Sequence, residues 1–83
     1  MEVDNPFNSP DADRVIEYFM QRYPNTTKKV TVEKITDDDY IYVIVEIAAL
    51  NISGINNRLE NHKVSNVQPL DKGVLKMQLS PRV

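Results

Sequence analysis

Tyr40-Ile41-Tyr42-Val43-Ile44-Val45-Glu46-Ile47-Ala48 decides how this chain folds. β-branched and aromatic residues fill the stretch, and it holds neither glycine nor proline, so it reads as a strand. Ile41, Val43, Val45 and Ile47 fall on one side of the pleat, and Tyr40, Tyr42, Ile44 and Glu46 on the other. Apolar side chains on both sides mark a strand with a neighbour on each edge, near the centre of a sheet.

Upstream, Asp37-Asp38-Asp39 reads as a polar loop, and Lys29 to Ile35 as a preceding strand in which Val30 and Val32 alternate with Thr31 and Glu33. That alternation breaks near Ile35, where a bulge would alter the pairing. Further back, Ser9-Pro10-Asp11 has the signature of a helix start: a capping hydroxyl, a proline suited to the first turn, and acids at the positive end of the dipole. Ala12, Val15, Ile16, Phe19, Met20 and Tyr23 then recur at helical spacing, and Pro24 stops the run. Residues 1–8 read as a loose arm, so the domain proper is expected over 9–83.

Downstream, Asn51 or Ser53 is placed to cap a second helix holding Ile52, Ile55 and Leu59 and ending near Asn61-His62. Lys63 to Gln68 follows as a weaker strand with Pro69 at its end, as suits an edge. Asp71-Lys72-Gly73 reads as a hairpin turn, and Val74 to Ser80 as the fourth strand, with Leu75, Met77 and Leu79 on one face.

This order predicts an α+β fold, αββαββ: a two-layer sandwich with a four-stranded antiparallel sheet and two helices on one face. The crossover between the second and third strands makes them parallel with a gap, and the fourth strand fits the gap, giving the order 3-4-2-1. The layout resembles a ferredoxin-like fold permuted so that its first strand comes last. By itself it says nothing of function.

Composition narrows the function classes. There is no cysteine, so neither disulfides nor thiolate zinc supports this small core, which points to an intracellular, cytoplasmic protein. The first residues have no signal-peptide pattern, and no apolar run is long enough to span a bilayer, so no membrane partner is expected. The net charge of −2 argues against a strong nucleic-acid binder, although residues 41–83, with three acids and five bases, are the more basic part. Eight asparagines in so short a chain hint at a phage or viral protein.

Catalytic and cofactor signals are weak. Gly54 and Gly73 make no phosphate loop, and His62 is the lone histidine, placed to cap a helix C-terminus rather than to bind metal. Asp37-Asp38-Asp39 has the oxygens for a cation but none of the spacing that follows in a calcium loop. Asn5-Pro6-Phe7 matches a short endocytic peptide motif, while Phe7 also suits packing at the start of the helix. The reading is a protein that is not an enzyme and needs no cofactor or metal.

The informative feature is the sheet face turned away from the helices. It is expected to carry Tyr40, Tyr42, Ile44 and Val74, with Lys76, Gln78, Thr31 and Glu33 around them. Tyrosines and aliphatics inside a polar rim are typical of protein interfaces, so the expected function is a protein-interaction or regulatory module that forms a homodimer or binds another protein there. A second reading is a single-stranded nucleic-acid binder that stacks bases on the same tyrosines, disfavoured by the net charge and by the absence of the RNA-recognition-motif strand order. A third is a structural subunit of a larger assembly.

Overall fold

The computed structural model describes residues 1–35, 37–48 and 54–82. The helix forms where the capping pattern places it, as α1 (Pro10–Arg22), with Ser9 Oγ accepting the Ala12 N–H at 3.4 Å. Its buried arc runs from Tyr18 to Ile16, with Val15 and Phe19 at the centre. Met20, expected in the apolar stripe, lies just outside that arc and is 52% exposed. Tyr18 takes the place on the other flank. It meets Phe19 edge-on at 5.3 Å, and the guanidinium groups of Arg22 and Arg58 each sit 5.3 Å from its ring centre. Such cations screen the ring from water while keeping their own charge wet.

Five strands follow one sheet: β1 (Glu2–Asp4), β2 (Thr27–Ile35), β3 (Ile41–Ile47), β4 (His62–Asp71) and β5 (Val74–Pro81), in the order β1-β2-β3-β5-β4. The four strands read from the sequence are β2 to β5, and their order and antiparallel pairing are those expected. β1 is an addition. Residues read as a loose arm pair parallel to β2, with Val3 opposite Val30 and Glu2 bonded to Lys29 at 3.2 Å. The sheet is therefore mixed rather than wholly antiparallel. Asn5 bonds Asp13 at 2.8 Å and accepts the Phe7 N–H, which brings Phe7 against the core.

The second helix is the main correction. Its expected cap, Asn51 or Ser53, and Ile52 lie outside the described residues. Within them the segment is a single 3-10 turn, Ile55–Arg58, so the chain is not αββαββ with two helices but α+β with one. Gly54 stands at its start with φ +82°, and only Ile55 and Leu59 turn inward, two anchors without the further turn of periodicity a helix needs.

The core lies between α1 and one face of the sheet. Ile41, Val43, Val45 and Ile47 of β3 are buried there with Val30, Val32, Met77 and Leu79, while Leu75 at the far end is only half-buried. Every second residue of β3 is half-buried on the opposite face. One face is thus sealed and the other only partly shielded. No helix among the described residues is long and apolar enough to cross a membrane.

Candidate functional site

The register assembles the open face in three cross-strand rows. Lys29, Glu46 and Val74 form the first, with Glu2 beside Lys29. Thr31, Ile44, Lys76 and Gln68 form the second, with Asp4 beside Thr31. Lys34, Tyr42, Gln78 and Asn66 form the third. A bulge between Val32 and Lys34 leaves Glu33 without an opposite number, the irregularity foreshadowed near Ile35.

Most of the residues read from the sequence meet on this face. Tyr42, Ile44, Val74, Lys76, Gln78 and Thr31 are half-buried and Glu33 is exposed. Lys76 is the hinge of the group: its Nζ lies 4.8 Å from the centre of the Tyr42 ring and 3.7 Å from Glu33 Oε2. Tyr42, Lys76 and Gln78 line a shallow hollow of about 80 Å³ with Asn66 and Gln68, two residues the sequence reading did not assign here. Their signal was the register alone, because β4 carries little alternation. Tyr40 shares the parity of Tyr42 but precedes β3 and is half-buried beside Asp39. The apolar content is therefore a strip, Tyr42, Ile44 and Val74, inside rows of both charges.

The sheet edges are blunted. β1 covers the outer side of β2, and β4 is interrupted by bulges at Ser65 and Leu70 and by Pro69. The Val64 N–H is taken by Asn56 Oδ1 at 2.7 Å.

A second cluster lies on the far side of the fold. His62 does not end a helix; it opens β4 opposite Pro81, and its side chain is 5% exposed. Its Nδ1 is 2.6 Å from Asp11 Oδ2, and its Nε2 is 2.9 Å from the Asp39 carbonyl and 3.2 Å from Asp39 Oδ2. Asp11, 1% exposed, also accepts the N–H groups of Glu60 and Asn61 at 3.0 and 2.8 Å and a guanidinium N–H of Arg14 at 2.7 Å. Burial alone would raise the Asp11 pKa. The Glu60 N–H, the His62 ring, the Asn61 N–H and Arg14 outweigh it and hold the carboxyl at about 2. Burial likewise pulls His62 down, but the bonds to Asp11 and Asp39, with the charges of both, raise it above its ordinary 6.5.

Acceptors on both ring nitrogens describe an imidazolium, not a general base with a free nitrogen. Among the described residues the ring's partners are a carboxylate and a carbonyl, not a hydroxyl or thiol. Among the described residues no group of three or more histidine, cysteine, aspartate and glutamate side chains is placed to hold a metal ion. Comparison with protein-family models, curated proteins and solved structures gives no match.

Proposed function

We propose that the protein is a non-enzymatic interaction module that binds protein through its open sheet face, with a second copy of itself as the first occupant. The observation that carries this reading is the strip of Tyr42, Ile44 and Val74 on a sheet face that α1 leaves uncovered. An apolar centre inside a polar rim is the usual anatomy of such a contact. Blunted edges direct association to the face rather than to strand addition. Glu33 and Glu46 lie among Lys29, Lys34 and Lys76 across the rows, so the face carries both signs of charge for a rim around that contact.

The same details weigh against base stacking. Lys76 occupies a face of the Tyr42 ring, and Glu2, Asp4, Glu33 and Glu46 add carboxylates that repel phosphate.

The test is an amide-shift map of the isotope-labelled chain over a wide concentration range. Concentration-dependent shifts confined to the open-face residues of β2, β3 and β5 support the reading. Shifts confined to α1, or to the β4 edge, overturn it.

A further inference from the structure

The buried ring of His62 joins three elements: the start of α1 through Asp11, the loop before β3 through Asp39, and β4, to which it belongs. Both nitrogens must donate for both contacts to exist, and only the protonated ring has two N–H groups. We propose that His62 is a proton-operated latch: its imidazolium fastens residues 37–40 to the start of α1, and loss of the proton frees that loop while the helix and sheet stay folded.

The direction of release follows from the partners. Asp11 is fixed by two backbone N–H groups and by Arg14, and its carboxylate is a stronger acceptor than a carbonyl. A neutral ring therefore keeps its one proton on Nδ1. The lone pair of Nε2 then points at the carbonyl and carboxylate oxygens of Asp39, and attraction becomes repulsion. Asp39 has φ +63°, a left-handed conformation that aspartate tolerates better than most residues, so the loop can keep or leave it when the ring lets go.

The other charges around the ring are consistent with a cation. Asp11 and Arg14 face it from α1, Asp39 from the loop, and Glu60 from the residues before β4, through Arg14. Arg82, beyond β5, bonds the His62 carbonyl at 2.8 Å and not the ring. Among the described residues two carboxylates lie against the ring itself and no cation does. Because the folded value is raised above the ordinary 6.5, the latch is closed at pH well below that folded value and opens as pH rises through it. The device is independent of what binds the sheet face.

The experiment is a titration of the labelled full chain by nuclear magnetic resonance from about pH 5 to about pH 10. The His62 ring should titrate above 6.5. The amides of Asp38 to Ile41 should shift with the same midpoint, and their hydrogen-exchange protection factors should fall at least about tenfold, while amides of α1 and β5 hold. A ring midpoint at or below 6.5, or loop amides unmoved across the ring titration, overturns the latch. Asp39→Asn gives a second arm that leaves the Asp11 contact intact. Its side-chain amide offers the neutral ring a donor and removes a negative charge, so the His62 midpoint should fall and the alkaline loop shift should shrink. An unchanged midpoint in Asp39→Asn refutes the part assigned to Asp39.

Discussion

Asp11→Ala removes one carboxylate and takes an acceptor from four donors at once. Glu60 and Asn61 lose the acceptor for their N–H groups, Arg14 keeps only the exposed Glu60 side chain at 3.1 Å, and the buried His62 keeps only Asp39, on its other nitrogen, as counter-charge. Removing one member of a buried ion pair costs about 3–5 kcal/mol, because the other charge stays behind. A domain of this length holds about 4–12 kcal/mol in all, so the variant stands close to unfolding. The acid side gives an independent figure. A carboxyl held at about 2 rather than 3.8 contributes about 2 kcal/mol. Since the folded value is depressed, that contribution is complete above 3.8 and is lost as pH falls through 2. Urea unfolding followed by circular dichroism, at neutral and at acid pH, reads both quantities. Asp11→Asn should lose stability at neutral pH and lack the wild-type decline in acid. A cost below about 1 kcal/mol for Asp11→Ala, or an unchanged acid decline in Asp11→Asn, refutes the reasoning.

Other substitutions separate packing from backbone and surface effects. Leu79→Ala empties a fully buried position opposite α1 and should cost about 2–5 kcal/mol in the same urea assay. Gly73→Ala should cost about 1–2 kcal/mol, from the left-handed φ of +76° alone, because the added methyl meets the Ile47 carbonyl oxygen at an ordinary 3.7 Å. Met20→Glu should stay within about 0.5 kcal/mol, since the side chain lies outside the buried arc.

Elements dictated by neighbouring residues were legible in the sequence. Ser9-Pro10 and Pro24 bracket α1, and the two-sided apolar run of β3 places it inside the sheet. The Asp71-Lys72-Gly73 turn sets the β4–β5 register, and with it the order of the four main strands. Features that depend on distant partners were not legible. β1 gains its place only from the exposed edge of β2, and Val3 alone gives no strand pattern. The 55–59 segment has two inward anchors at helical spacing, so its periodicity matched a helix that does not form. Met20 and Tyr18 exchanged roles because the arginines that shelter Tyr18 come from α1 and from the distant 3-10 turn.

The open face and the His62 cluster illustrate the same division. Strand parity is a local property, so Tyr42, Ile44, Lys76 and Gln78 could be placed together from the sequence. The Asp11–His62 contact spans 51 positions of the chain. Its single sequence signal was an aspartate four residues before Val15 on the buried track of α1, which the helix-dipole reading explained equally well.

Solution mass by light scattering over at least a hundredfold range of concentration tests the central claim most directly. The account predicts a mass rising from the 9.6 kDa of one chain toward twice that value, and a return to the single-chain mass in Tyr42→Glu with the fold retained. A mass that stays at 9.6 kDa throughout, or a dimer that Tyr42→Glu leaves intact, contradicts self-association through the open face.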